Sequence, residues 1–342
     1  MHSEHTLKLA NGLAFHYYDS GAPSGSTDYT TLVGFHGLGF NSDGFEHVHL
    51  YAHQNNLRTI FVNRRDYKGS TPYSDGEVAD IQAGNETAYG LDVARVLGHF
   101  IDAGVVGSGG ILVMGWSLGN LWTLSFLGNP GVIPRDLYEK IQPHLRSVIV
   151  YGQFVYPPHV ILGLTYDQDW NPFIDPESFS QGPLHATQLF ARWVSGHFAH
   201  PEAGIAPSGP QWTKETTEFT VDKWSSEEMA RWFEPAAVLH CQHITPATLS
   251  RFQESAVAQI QRAVFDASSA ASYFPNTSVL YISGANTIPS CLYGHREFAR
   301  RVKDGEAARR VKLALIPGGN HFLHYEMPEV FVKEIVERCR AD

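Results

Sequence analysis

Five residues set the strongest limit on how this chain can fold: Gly115-Trp116-Ser117-Leu118-Gly119. An apolar run, Ile111-Leu112-Val113-Met114, precedes them, and a segment with helical spacing, Asn120 to Leu127, follows. The pattern predicts a buried strand that turns abruptly into a helix, a bend that crowds the backbone and leaves no room for a Cβ at either glycine. Ser117 would be held there in a strained conformation, its hydroxyl presented above the sheet edge and at a helix N-terminus. Backbone N–H groups and the helix dipole favour developing negative charge at such a point. A serine so placed has a nucleophile's position.

The rest of the chain supplies a sheet for that bend. Leu7-Lys8-Leu9 and Leu13 to Tyr18 read as an antiparallel pair joined at Asn11-Gly12, a favoured hairpin turn. Short β-branched or apolar runs follow at Thr31–His36, Thr59–Asn63, Ile111–Met114 and Ser147–Tyr151, and resume at Ser278–Ser283 and Val311–Ile316. Such runs suit central parallel strands covered on both faces. Helical patterns lie between and after them, at Glu86 to Ala103 and at Pro328 to Arg338. Strands alternating with helices predict an α/β fold with right-handed crossovers.

From about residue 156 to 270 the strand rhythm stops. The stretch is rich in proline and tryptophan, with helical patterns at Leu184–Gly196, Ser226–Phe233 and Thr245–Phe265. We therefore expect one α/β core formed by 1–155 and 271–342, interrupted after the sixth strand by a helical insertion, 156–270.

Composition narrows the function. A net charge of -10 without a Lys/Arg stripe argues against a nucleic-acid partner. No apolar run is long enough to span a membrane and Met1 to His5 are mostly polar, so the expected location is cytoplasmic. Cys241, Cys291 and Cys339 lack metal or disulfide spacing, which fits a reducing compartment. The pairs His47 with His49 and His240 with His243 lack a carboxylate-rich setting, so no metal or other cofactor is expected. The sequence leaves the oligomeric state open.

Three motifs in order resemble those of the α/β-hydrolase superfamily and cover the chain outside the insertion. Phe35-His36-Gly37-Leu38-Gly39 resembles its oxyanion loop, Gly115 to Gly119 its nucleophile elbow, and Gly318-Gly319-Asn320-His321 to Pro328 the loop carrying its histidine. Asn63 to Ser70 resembles the turn after the fourth strand, with Asp66 where glycine is usual. The resemblance implies a mostly parallel sheet flanked by helices, a helical cap over its C-terminal edge, Ser117 as nucleophile and His321 as general base and acid. It also implies the backbone N–H groups of Leu38 and Leu118 as oxyanion donors. Histidine suits the base's task because its pKa lies near neutrality, so it can take a proton and return it. His324 is the alternative base, and His36 is expected to fix the oxyanion loop.

The third partner of a triad departs from the family pattern. Gly284-Ala285-Asn286-Thr287 offers no acid where one is usual, and Tyr151 to Val155 offers none one strand earlier. Asn286 or Gln153 without charge, or Asp167 or Asp169 from the insertion, remain as candidates. Trp116 and the insertion's Trp170, Phe173, Phe190 and Trp193 suggest an apolar pocket, with core packing as the simpler account of any one of them. The function expected is a serine hydrolase acting on an ester or lactone of an apolar small molecule. A cofactor-free lyase or C–C bond-cleaving enzyme, and a ligand-binding protein with vestigial catalysis, stand as alternatives. Serine at the elbow argues against epoxide-hydrolase or dehalogenase chemistry, which needs a carboxylate there to form the covalent ester.

Overall fold

The computed structural model describes residues 2–85, 87–152, 172–173, 175–200, 215–240 and 255–340. Eight strands form one sheet: β1 (Ser3–Lys8), β2 (Ala14–Asp19), β3 (Thr30–Phe35), β4 (Leu57–Val62), β5 (Ile111–Trp116), β6 (Leu145–Tyr151), β7 (Ser278–Gly284) and β8 (Val311–Ile316). Their order is β1-β2-β4-β3-β5-β6-β7-β8. β2 runs antiparallel to both β1 and β4, and every other pairing is parallel. Each expected strand is present, and the order reverses around β3, so the C-terminal ends of β3, β5, β7 and β8 open on one side.

β3, β5 and β7 are buried at every position, as strands covered on both faces must be. Alternation divides their side chains between two cores. Val33, Val113, Val148 and Tyr281 pack against the Thr87–Asp102 and Asn120–Gly128 helices. Leu32, Leu112, Met114 and Ile282 pack against the Glu46–Ala52 and Pro328–Arg340 helices. Thr87–Asp102 buries Val93, Val96, Leu97 and Phe100 along one stripe, the amphipathic face its sequence predicts.

Between β6 and β7 the described residues form short helices, Pro176–Ser180, Pro183–Val194, Ser226–Trp232 and Pro235–His240. The boundary expected at 270 needs correction. Residues 255–260 are helical and continue into a wider turn, Gln261–Phe265. Ala256, Ile260, Ala263 and Val264 are buried in the same core as Leu124 and Leu127. Arg262 donates to the Gly128 carbonyl, and Arg309 donates to that of Ala263. This stretch packs under the sheet because its small and β-branched residues match the Asn120–Gly128 helix. Sequence pattern alone could not separate it from the helices before it.

Candidate active site

Ser117 follows β5 and opens a tight turn, Ser117–Gly119, that leads into the Asn120–Gly128 helix. Its φ of 54° is left-handed, a conformation that costs a residue with a Cβ about 1–2 kcal/mol. The glycines make the bend possible by close approach. A Cβ on Gly119 would lie 2.3 Å from the Phe35 carbonyl oxygen, and one on Gly115 would lie 2.7 Å from the Asn120 backbone. Among the described residues the Ser117 hydroxyl makes no hydrogen bond.

The loop after β3 lies against this serine. A Cβ on Gly37 would stand 2.9 Å from Ser117 Cβ and 3.4 Å from its Oγ. His36 is fully buried and holds the loop, as expected: its Nε2 accepts from the Arg64 N–H at 3.0 Å, so the ring proton lies on Nδ1, which donates to the Gly37 carbonyl at 3.0 Å. Burial, reinforced by the Arg64 charge, holds its pKa well below the usual histidine value, so it stays neutral. The Leu38 N–H makes no hydrogen bond among the described residues. Leu118 sits in the first turn, where N–H groups lack intrahelical partners.

His321 comes from the loop after β8 and is 1 % exposed. Its carbonyl accepts from Trp116 Nε1 at 3.1 Å and from the Tyr151 hydroxyl at 3.0 Å, so the loop is tied to the ends of β5 and β6. Asn320 fixes the other side, donating to the Ser195 carbonyl at 2.9 Å and to Thr220 Oγ1 at 2.7 Å. A Cβ on Gly152, just past β6, would lie 3.1 Å from His321 Cε1, so that position admits only glycine without shifting the ring. Nε2 of His321 is buried and has no hydrogen-bond partner among the described residues. Ser117 and His321 share the C-terminal edge of the sheet, bridged by Trp116, but no hydrogen bond joins them.

At the other ring nitrogen the sequence reading missed both neighbours. Nδ1 faces Thr287 Oγ1 at 3.4 Å and Cys291 Sγ at 3.9 Å. Asn286, the residue before Thr287, is occupied through its backbone, donating to the Gly319 carbonyl and accepting from the Phe198 N–H, and makes no bond to His321. Gln153, Asp167 and Asp169 lie outside the described residues. Thr287 ends the loop after β7, and Cys291 lies in the first turn of the following helix, Pro289–Lys303. Neither residue type announces itself in the sequence as a neighbour of a histidine, because neither carries charge. Burial lowers the His321 pKa to about 3, and among the described residues no charge offsets it.

Two further expectations change. Trp116 is 2 % exposed and packs against Phe40, Phe45, Phe322 and His324, so it braces the histidine loop instead of lining an open pocket. Alternation along β5 puts it on the same face as Leu112 and Met114. His324 is engaged in structure: its Nδ1 pairs with the Tyr151 hydroxyl at 2.9 Å and its ring stacks on Phe45. Phe173, Phe190 and Trp193 are buried against one another, and Trp170 lies outside the described residues. Asp66 adopts the left-handed φ of 72° for which glycine is usual, and its Oδ1 accepts from the Tyr73 N–H at 2.9 Å and faces His240 Nδ1 at 3.0 Å.

Among the described residues, one group, His2, Asp43 and Glu46, brings its ligand atoms within 4.8 Å of one another. The Arg231 guanidinium already pairs with both carboxylates, at 3.3 and 2.8 Å. Among the described residues no helix is long and apolar enough to cross a membrane.

The comparisons with known proteins agree with this architecture. No match was found among curated protein sequences. Similar solved structures include a laboratory-evolved variant of potato epoxide hydrolase (14% identity, TM-score 0.60, covering 99% of this chain and 100% of that one). Epoxide hydrolase A from Mycobacterium thermoresistibile is another (15%, 0.57, covering 100% and 99%). A third is an esterase from Exiguobacterium antarcticum (14%, 0.55, covering 99% and 100%). At such identities the likeness is one of fold. A family model described as the alpha/beta hydrolase family matches residues 32–334, nearly the whole chain, and this chain therefore belongs to that family.

Proposed function

We propose that the protein is a serine hydrolase that cleaves an ester or lactone bond in an apolar small molecule through an acyl-enzyme. The observation that carries this reading is a serine in the left-handed conformation at the same sheet edge as an imidazole whose buried Nε2, like the serine hydroxyl, has no hydrogen-bond partner among the described residues. Ser117 Oγ attacks the carbonyl and passes its proton to His321 Nε2. The oxyanion is received by the N–H groups of Leu38 and Leu118. His321 then protonates the leaving oxygen, and water repeats the sequence to release the acid. Esterases and epoxide hydrolases are both among the structural neighbours, and serine at the elbow supports the former.

Among the described residues the face at Nδ1 is neutral, and this reading makes that face the limit on the rate. With the folded pKa near 3, forming imidazolium at pH 7 costs on the order of 5 kcal/mol. That resembles the roughly 10⁴-fold loss when a serine protease's aspartate becomes an amide. The same observation favours a second reading, a cofactor-free lyase or C–C bond cleavage in which His321 acts on substrate while the serine is dispensable.

The test is labelling with a fluorophosphonate probe beside turnover of p-nitrophenyl esters and lactones. Phosphonylation of Ser117 that is absent in Ser117→Ala and slow in His321→Ala supports the hydrolase. A folded wild type that resists the probe ends it. Turnover that survives Ser117→Ala but not His321→Ala selects the lyase.

A further inference from the structure

We propose that Arg64 is a positioning residue for the oxyanion site, a reading that rests on the acyl-enzyme function above. Its guanidinium is 1 % exposed and forms no ion pair among the described residues. One face lies over the Trp122 ring, 4.1 Å from the centroid, and Nε and Nη1 are buried without hydrogen-bond partners. Nη2 does all the bonding, donating to the Gly37 carbonyl at 2.6 Å and to the Tyr67 hydroxyl at 3.2 Å. The Tyr67 hydroxyl in turn accepts from the Gly39 N–H at 2.9 Å.

One cation thus holds both residues that flank Leu38: Gly37 directly and Gly39 through Tyr67. The geometry of the peptide unit gives this a consequence. Across a trans peptide the C=O of one residue and the N–H of the next point in opposite directions. Pinning the Gly37 carbonyl onto Arg64 and His36 turns the Leu38 N–H the other way, and that N–H is left without a partner beside a glycine packed against Ser117. An apolar side chain would fill the Arg64 site without the desolvation penalty of a buried, unpaired charge. The bonds that such a side chain would lose are those that orient the Gly37–Leu38 peptide.

Arg64→Met and Arg64→Lys test this in the full-length protein, each first checked for a cooperative thermal transition. Removing one oxyanion donor typically costs about 10²–10³ in kcat, and the proposal expects a loss of about 100-fold for Arg64→Met. The phosphonylation rate of Ser117 and the affinity for a phenylboronic acid, which forms a tetrahedral serine adduct, should fall together, while KM for a p-nitrophenyl ester stays within about twofold. A role in packing alone would lower stability without separating boronate affinity from KM. A folded Arg64→Met protein whose boronate affinity and labelling rate both match wild type overturns the proposal. If Arg64→Met fails to fold, Arg64→Lys decides by the same readouts. If the wild type neither labels nor binds boronate, the acyl-enzyme reading falls, and a crystal structure of the Arg64 variant decides separately. There, a rotated Gly37 carbonyl supports the positioning role and an unmoved one refutes it.

Discussion

Thr287→Asp should convert the neutral support of His321 into a charged one. Thr287 Oγ1 lies 3.4 Å from Nδ1, so a carboxylate at this position would meet the ring at close range. With an effective dielectric of about 20, unit charges about 3.4 Å apart attract by roughly 5 kcal/mol, or about 3.5 pKa units. Burying the new carboxylate takes back part of this, and an opposite charge at such a distance typically moves a pKa by about 1–3 units. The imidazole, held near 3 in the wild type, should then titrate between about 4 and 6. Wild-type Ser117 should label with a fluorophosphonate at a rate that is flat between about pH 5 and pH 8, because His321 is already deprotonated throughout. Thr287→Asp should label at least tenfold faster at pH 8 and show an acid limb inside the measured range. Thr287→Asn, similar in size and uncharged, provides the control. Identical pH profiles for the Asp and Asn variants, both folded, would refute the assignment of Thr287 to the Nδ1 face.

Three other outcomes follow from the same geometry. Gly37→Ala places a methyl group against Ser117 Cβ, so labelling of Ser117 should drop about 100-fold and overpacking should lower stability by about 1–3 kcal/mol, and a folded variant with an unaffected rate would mean the loop is not where the oxyanion forms. Asn320→Ala removes two buried hydrogen bonds to Ser195 and Thr220, which should lower stability by about 1–3 kcal/mol in urea titration and reduce kcat more than it changes KM. Acid should destabilise the fold early. Burial lowers His49 to about 3, His295 to about 4 and His321 to about 3, so between those values and 6.5 the unfolded chain binds protons that the folded one does not. Their contribution is complete above about pH 6.5 and falls by roughly 2 kcal/mol per histidine at pH 5. A urea midpoint equal at pH 7.5 and pH 5 would contradict this.

The parts of the molecule legible in the sequence were those where local pattern and global fold agree. Apolar runs such as Ile111–Met114 gave the strands, and the glycines around Ser117 announced a bend that the backbone could not otherwise make. The alpha/beta hydrolase family followed from three such motifs in order. What escaped was what depends on contact between distant segments. Thr287 and Cys291 are ordinary core-type residues until β7, the helix after it and the β8 loop bring them to one imidazole. Trp116 beside Ser117 suggested a pocket wall, yet the strand's alternation turns it into the core. The stretch 255–270 reads as more of the insertion because a helix's sequence does not state which surface it will cover.

The insertion's attachments carry a consequence for how such a protein can change. Asn41 donates from its backbone to the Trp232 carbonyl and from its side chain to Glu234, whose N–H returns a bond to Gly39, while on the opposite side Ser195 and Thr220 grip Asn320. Both loops that flank Ser117 are therefore sewn to described residues of the stretch between β6 and β7. Swapping that stretch for a relative's, as one would exchange a cassette, should unstitch the loops on either side of Ser117. Sequence change has freer rein at positions of that stretch away from these seams.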